Sequence, residues 1–241
     1  MPYFFYGFDW TYLVIVLPCI ILSLWASSNV NSTFKRYSQQ LSRRHITGAD
    51  AAQRVLHANG VHGVRIERVS GNLTDHYDPK SNVIRLSDSV YDSPSVAAIG
   101  VACHEAGHAV QYAQNYGPIK LRAAIIPITN FGSKLAMPLI LLGLLFAAFA
   151  DFSYTLVYLG IACFSLSLVF QLVTLPVEFN ASRRAMQAIE NSDILTDEEQ
   201  KGARKTLSAA AMTYVAATAV ALAQLLRLLV IFGGRGRRRN D

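Results

Sequence analysis

The chain has 241 residues, of which 52% are hydrophobic and only 16% are charged. Soluble domains usually carry about 25% charged residues, so this composition excludes an ordinary soluble protein and indicates an integral membrane protein. The formal net charge of +6 does not predict nucleic-acid binding, because Lys and Arg gather beside the apolar segments, where lipid headgroups account for them.

The first apolar segment, residues 10–26, predicts transmembrane helix 1. Trp10, Tyr12 and Trp25 lie near its ends, as in the aromatic belts at membrane interfaces. A cleaved signal peptide is the alternative interpretation. The preceding residues lack Lys and Arg and include Asp9, which favours a retained helix.

Residues 27–134 are mostly polar or amphipathic and predict one soluble module of roughly 100 residues. Its local patterns predict a short helix that starts at Thr47 or Gly48 and runs through Ala58. They also predict a strand at 64–69 and a hairpin of 75–78 with 82–86. The module should therefore combine helices with a small sheet.

The module contains the motif H-E-x-x-H at residues 104–108, inside a helix predicted at 94–115. Ser93 is the expected N-cap of this helix, and Gly117 followed by proline is its expected stop. Residues four positions apart lie on the same face of a helix, so both imidazoles can bind one ion. This spacing predicts a zinc site.

Zinc prefers neutral imidazole nitrogens with a carboxylate or thiolate, and a catalytic zinc keeps its fourth position for water. His104 and His108 are the expected ligands of one Zn2+ per chain. Bound zinc lowers the pKa of its water to around 7, and Glu105 is the expected base that passes the proton to a leaving amine. A third ligand must come from elsewhere, and Cys103 is a weak candidate because it points about 100° away from His104 around the helix.

Residues 135–150 and 154–176 are two further apolar segments and predict a transmembrane hairpin. The first is slightly short for a bilayer, but it can extend past Lys134, whose side chain can reach the interface. Two crossings return the chain to the side that it left. The segment after Pro176 should therefore lie on the same side of the membrane as the zinc motif.

Glu178 is the carboxylate best placed to be the third zinc ligand. The alternative is a solvated residue in the first turn of a helix, where negative charge is favoured anyway. The need for one more ligand on this side favours ligation. Asn180 or Ser182 could orient a ligand from the second shell, and each could equally be a plain helix residue.

Residues 177–206 form the predicted third-ligand helix and a polar segment, with a helix start at Thr196. Residues 207–232, rich in small side chains, predict transmembrane helix 4, and residues 233–241 form a basic tail. The three cysteines predict no disulfide framework, so the soluble module should face a reducing compartment.

The positive-inside rule places the zinc motif at the cytoplasmic face. If all four apolar segments span, most basic residues near the membrane lie on the side of the motif: Lys35, Arg36, Lys120, Arg122, Lys134, Arg183, Arg184, Lys201, Arg204 and Lys205. The arginines of the tail conflict with this rule. A last segment that ends at Arg227 without crossing would remove the conflict.

Three stretches carry a resemblance to a known family: LTDHYDPKSNVIRLSDSVY at 73–91, HEAGH at 104–108 and LPVEFNASRRAM at 175–186. In this order they resemble the bacterial membrane-bound neutral zinc metallopeptidase family (YugP-like), which is similar in layout to membrane proteases of the prenyl-protease and heat-shock type. The resemblance covers the chain to about Phe232. It implies a gluzincin-like zinc endopeptidase, with the two motif histidines and Glu178 as ligands and Glu105 as base.

One residue departs from the pattern of that family. The resemblance predicts an aspartate after the ligand glutamate, as in EFDAS, whereas this chain has Asn180. An amide still forms hydrogen bonds but lacks the charge that strengthens a ligand, so we expect lower metal affinity or turnover.

Three further residues have both a functional and an ordinary interpretation. His76, in the predicted edge strand, could bind substrate or stabilise an oxyanion, or it could be a surface strand residue. Arg183 and Arg184 could supply positive charge to a tetrahedral intermediate or contact lipid headgroups.

The sequence therefore predicts an α-helical membrane protein with a small α+β zincin-like metallopeptidase module. It should be a multi-pass protein of the bacterial plasma membrane that hydrolyses peptide bonds with zinc-activated water. Its partners should be the lipid bilayer and a polypeptide substrate that is membrane-associated, and an edge strand of the sheet can pair with that substrate.

Two rival functions remain open from the sequence. One is a zinc-binding membrane scaffold or regulator without proteolytic activity, in which Asn180 would account for the missing turnover. The other is cleavage inside the bilayer. The polar residues Gln111, Gln114 and Asn115 argue against the second rival, because they predict that the motif helix lies at the surface.

Overall fold

The computed structural model describes residues 10–146 and 152–233. The fold is mostly helical, with one three-stranded sheet. In chain order the elements are a π-helical turn at Tyr12–Val16, α1 (Leu17–Ser38), α2 (Gly48–Ala58), β1 (Arg65–Val69), β2 (His76–Asp78), β3 (Val83–Ser87), α3 (Val96–Ala113), α4 (Gly117–Leu145), α5 (Ser153–Asn191) and α6 (Asp197–Gly233). Asp9, Asp151 and the arginines of the tail lie outside the described residues.

Four helical segments are long and apolar enough to cross a membrane: Tyr12–Ser38, α4, α5 and α6. All four helices run further than the apolar segments that predicted them, and the first continues past residue 26 to Ser38. α4 begins at Gly117 instead of residue 135, α5 continues past Pro176 to Asn191, and α6 combines the polar segment from Asp197 with the last apolar one. Hydropathy marks only the apolar part of a helix, whereas the backbone hydrogen bonds continue through polar turns.

The last helix does not end at Arg227. The alternative considered from the sequence, a last segment that stops at Arg227 without crossing the bilayer, is therefore wrong about where the helix ends. α6 is continuous through Arg227 to Gly233. The guanidinium of Arg227 lies 5.3 Å from the ring centroid of Tyr12, a cation–π geometry. A single arginine near the end of an apolar helix is thus accommodated without ending the helix.

The chain divides into two compact units. The first, here called the helical unit, comprises the described parts of Met1–Trp25, Leu121–Leu175 and Tyr214–Asp241. The second, here called the α+β unit, comprises Ala26–Lys120 and Pro176–Thr213.

Glycines allow α4 and α5 to pack closely within the helical unit. A Cβ added to Gly160 would lie 2.9 Å from the carbonyl oxygen of Ala136, and one added to Gly143 would lie 2.7 Å from that of Ser153. Contacts this short exclude any side chain, so glycine is what permits the approach.

In the α+β unit, α2 begins as the sequence predicts. Thr47 is the N-cap and forms a capping box with Asp50, which satisfies two backbone N–H groups at the helix start. The buried face of α2, including Val55 and Leu56, packs against α3. Burying side chains of this size contributes about 1.5–3 kcal/mol each, which makes α2 a support for α3.

The sheet has the order β1-β3-β2, with β3 in the middle. β2 and β3 form the predicted antiparallel hairpin, with Tyr77 opposite Ile84. The carboxylate of Asp78 closes the turn by accepting hydrogen bonds from the Lys80 amide at 3.0 Å and the Ser81 hydroxyl at 2.7 Å. β1 lies parallel to the other side of β3, which leaves β2 as an edge strand beside α3.

The ends of α3 differ from those expected. Ser95, not Ser93, is the N-cap, and its hydroxyl accepts a hydrogen bond from the Ala98 amide at 3.2 Å. The backbone of Ser95 is held extended by a β-bridge to Leu41, so the helix starts later.

The C-terminal end of α3 forms a Schellman motif. Asn115 adopts a left-handed backbone with φ 55°, and the amide of Tyr116 donates to the carbonyl of Gln111 at 2.9 Å. Asn115 therefore ends the helix, while Gly117, the expected stop, already begins α4.

Candidate metal centre

α3 and α5 approach each other closely at Gly107, the glycine inside the H-E-x-x-H motif. A Cβ added there would lie 2.7 Å from the carbonyl oxygen of Ala181 on α5. The small residues Gly107 and Ala181 thus let the two backbones almost touch. This approach brings Glu178, one turn before Ala181, to the face of α3 that carries His104 and His108.

One carboxylate oxygen lies opposite both imidazoles. Oε2 of Glu178 is 3.2 Å from Nε2 of His104 and 3.4 Å from Nε2 of His108. The two imidazole rings are nearly perpendicular, at 84°, with centroids 4.7 Å apart. One ligand atom from each residue can be chosen so that all three lie within 4.8 Å of one another.

These separations fit a zinc ion. Nitrogen and oxygen ligands at about 2.0–2.1 Å from a tetrahedral zinc lie about 3.3–3.4 Å from one another. Glu178 is only 2% exposed, and a buried carboxylate is costly unless it has a positive partner. Two imidazoles and one carboxylate leave a fourth position of a tetrahedral site open, the donor set of a catalytic zinc centre.

Glu105 faces a different partner. Its Oε2 accepts a hydrogen bond of 3.0 Å from the backbone amide of Tyr77, in the edge strand β2. The position of β2 is in turn fixed by Asp75, whose carboxylate accepts a 2.7 Å hydrogen bond from the Ser87 amide in β3. Burial raises the pKa of Asp75, hydrogen bonds from Ser87 partly offset this rise, and the negative charge of Glu105 adds to it.

Ser182 lies beside His104, where it can orient the imidazole ring. Its hydroxyl is 3.1 Å from Nδ1 of His104, the nitrogen that faces away from Glu178. A hydroxyl can donate or accept, so this contact holds the ring without fixing which nitrogen carries the proton.

Asn180 does not contact either histidine directly. Its Oδ1 accepts hydrogen bonds from Nε2 of Gln111 at 3.0 Å and from Nε of Arg184 at 2.7 Å. Gln111, in turn, lies 3.0 Å from Nδ1 of His108 through its Oε1. Among the described contacts, Asn180 thus reaches His108 through Gln111.

The remaining residues singled out from the sequence lie around the site in different ways. His76 is exposed on β2, and its Nδ1 is 2.8 Å from the carbonyl oxygen of Thr74. Arg183 is exposed. Arg184 contacts Asn180 and Gln114, and its guanidinium lies 5.9 Å from the ring centroid of Tyr116.

The polarity of Gln111 predicts a surface position, and this prediction is wrong. The residue is 0% exposed, whereas Gln114 and Asn115 are exposed. Gln111 follows His108 by three positions on the same helix, and this spacing places it beside the ring. That spacing was the signal available in the sequence.

Two titratable side chains of α3 differ in environment. Cys103 is buried in the hydrophobic core of the α+β unit, and burial raises the pKa of its thiol, which keeps it neutral. Burial lowers the pKa of His108, but hydrogen bonding to Glu178 and the charges of Glu105 and Glu178 outweigh it, so the net pKa is raised.

Comparison with known proteins gives two matches and one absence. Residues 12–233 match the family model described as "Putative neutral zinc metallopeptidase". The chain is 46% identical over 221 residues to the protein named "Putative membrane protease YugP" of Bacillus subtilis (strain 168), covering 92% of this chain and 96% of that protein. No solved structure matches the chain.

Proposed function

The chain belongs to the neutral zinc metallopeptidase family, and from this premise we propose that it is a gluzincin-like membrane endopeptidase in which His104, His108 and Glu178 bind one Zn2+. The observation that carries the proposal is the position of Glu178. Its Oε2 lies 3.2 and 3.4 Å from the two Nε2 atoms of the motif histidines, as the ligands of one tetrahedral zinc do.

When bound, zinc would lower the pKa of a water molecule and polarise the carbonyl of the scissile peptide bond. Glu105 would take the proton of the attacking water and deliver it to the departing amine nitrogen. The hydrogen bond from the Tyr77 amide holds the carboxylate of Glu105 in place.

The position of the edge strand β2 supports the proposal that the substrate is a polypeptide. Its hydrogen bonds to β3 use one side of the strand, and the other side is the one on which the Tyr77 amide meets Glu105. An extended peptide that pairs along this side would pass beside the base. The edge strand β2 beside the motif helix α3 supports the proposal of a zincin-like module.

We further propose that the substrate is membrane-associated and that the site lies at the cytoplasmic face of the bacterial plasma membrane. Glu178 lies two residues after Pro176, where the apolar part of α5 ends. Both residues belong to the same continuous helix. The basic residues on the side of the site support the orientation.

The proposal is tested by metal analysis and a labelled-casein assay on detergent-purified protein. Wild type should bind zinc at near-unit stoichiometry and cleave the substrate. Glu105→Gln should keep its zinc and lose cleavage, whereas Glu178→Ala should lose both. A wild-type protein that binds zinc without turnover would be a scaffold, and one without zinc would refute the ligand set.

A further inference from the structure

Four side chains form a continuous hydrogen-bonded chain that ends on a proposed zinc ligand. Arg184 donates to Asn180, Gln111 donates to Asn180, and Gln111 lies 3.0 Å from Nδ1 of His108. The amide nitrogen of Gln111 also donates to the carbonyl of Val177 at 2.8 Å. We call this set the Arg184–His108 chain.

The direction of every hydrogen bond in the Arg184–His108 chain follows from its two ends. A guanidinium can only donate, so the atom of Asn180 that faces Arg184 must be the oxygen. The carbonyl of Val177 can only accept, and so can the oxygen of Asn180. The side-chain group of Gln111 that faces both must therefore be its NH2, which leaves its oxygen for His108.

That oxygen can only accept, so Nδ1 of His108 must carry the proton. A neutral imidazole with its proton on Nδ1 has a lone pair on Nε2, and Nε2 is the atom that lies 3.4 Å from Glu178. The Arg184–His108 chain thus prepares His108 to bind a metal through Nε2.

We propose that Gln111 is a positioning residue that fixes the tautomer and ring orientation of His108 for metal binding, and that Asn180 and Arg184 fix the orientation of Gln111. This inference rests on the proposed function. It also gives Asn180 a role that does not need negative charge, because only its oxygen is used.

The two histidines differ in this respect. Nδ1 of His104 meets the hydroxyl of Ser182, which can donate or accept and therefore sets no direction. Gln111 is buried between α3 and α5, so its amide has no water with which to exchange partners. Control of the tautomer should therefore be strong at His108 and weak at His104.

The test measures zinc affinity of the metal-free, full-length protein in detergent, by competition with a chromophoric chelator. Gln111→Met keeps the volume but removes the hydrogen bonds, and it should weaken zinc binding by about 10–100-fold, as loss of an outer-shell partner does. Gln187→Met is the matched control, because Gln187 is an exposed glutamine of α5 outside the Arg184–His108 chain. It should change the affinity by less than about twofold.

Two substitutions at Asn180 test the inferred directions of the hydrogen bonds in the Arg184–His108 chain. Asn180→Asp keeps an oxygen facing Arg184 and Gln111, so zinc affinity should stay within about threefold of wild type or rise. Asn180→Leu removes the acceptor and should weaken binding in the same direction as Gln111→Met. It also serves if Gln111→Met fails to fold.

A second readout observes the tautomer itself. In metal-free protein labelled with 15N-histidine, one imidazole should show the proton on Nδ1 in wild type and lose this preference in Gln111→Met or Asn180→Leu. Unchanged affinity and tautomer in both variants would overturn the inference, and so would an equal loss of affinity in Gln187→Met. A wild-type protein that binds no zinc would instead refute the proposed function.

Discussion

Oε2 of Glu178 lies 3.2 Å from Nε2 of His104, although the two residues are 74 positions apart in the chain. The contact joins α3 to α5, and no local sequence pattern could produce it. It exists because Gly107 allows the helices to approach and because Glu178 occupies the turn of α5 that faces the histidines.

Replacing the proposed third ligand should remove the metal and not merely slow the reaction. We expect Glu178→Ala to weaken zinc binding by more than about 100-fold, beyond the loss caused by an outer-shell partner. Equilibrium dialysis followed by metal analysis measures this loss. Glu190→Ala is the control, because Glu190 lies on the same helix but pairs with Arg204, and it should keep its zinc.

Replacing the proposed base should separate metal binding from turnover. Glu105→Gln should lower kcat for casein cleavage by at least about 100-fold, since general-base catalysis contributes about 100- to 10,000-fold. Zinc content should match that of wild type, because Glu105 faces Tyr77 and not the ligand set. Turnover at the wild-type rate would show that another group acts as the base.

Because α3 and α5 approach so closely, adding a single methyl group at Gly107 should lower both the stability of the protein and its zinc affinity. In Gly107→Ala the new Cβ would meet the Ala181 carbonyl at 2.7 Å, so the helices must separate. We expect a loss of about 1–3 kcal/mol in the free energy of unfolding, together with weaker zinc binding. Thermal unfolding in detergent and chelator competition measure the two effects.

Gly117→Ala is the control for that substitution. An added Cβ at Gly117 meets nothing within 4 Å, and the residue lies at the start of α4. It should leave both the unfolding transition and the zinc affinity unchanged. Equal effects of the two substitutions would show that the close contact at Gly107 does not position Glu178.

Zinc binding should depend on pH through His108. The hydrogen bond and charge of Glu178 raise the pKa of His108 despite its burial, so in the metal-free protein a proton competes with zinc for this ring. Affinity should fall by about tenfold for each pH unit below that pKa and become constant above it. Chelator titrations between about pH 5 and 8 would contradict this expectation if the affinity did not change.

Local features of the fold could be predicted from the sequence. The spacing of His104 and His108, the cap at Thr47 and the hairpin at Tyr77 each depend on a few neighbouring residues, and each occurs where the pattern indicated. Glu178 followed from a count of membrane crossings and the need for one more ligand, a topological argument that required no contact to be known.

Other features depend on contacts between distant segments. The start of α3 shifts because Ser95 forms a bridge with Leu41, and Gln111 is buried because α5 covers it. Hydropathy alone also missed the first turns of α4, since Lys120 and Arg122 interrupt the apolar pattern without interrupting the helix. Such features depend on packing, which a single sequence does not reveal.

We expect one zinc ion to be bound by two imidazoles and one carboxylate. X-ray absorption at the zinc edge of the purified, zinc-loaded protein identifies these ligands. It should show nitrogen and oxygen ligands at about 2.0–2.2 Å, including two imidazoles, with no sulfur shell, and Glu178→Ala should abolish this spectrum. A sulfur shell at about 2.3 Å, which would indicate Cys103, or an unchanged spectrum in Glu178→Ala would contradict it.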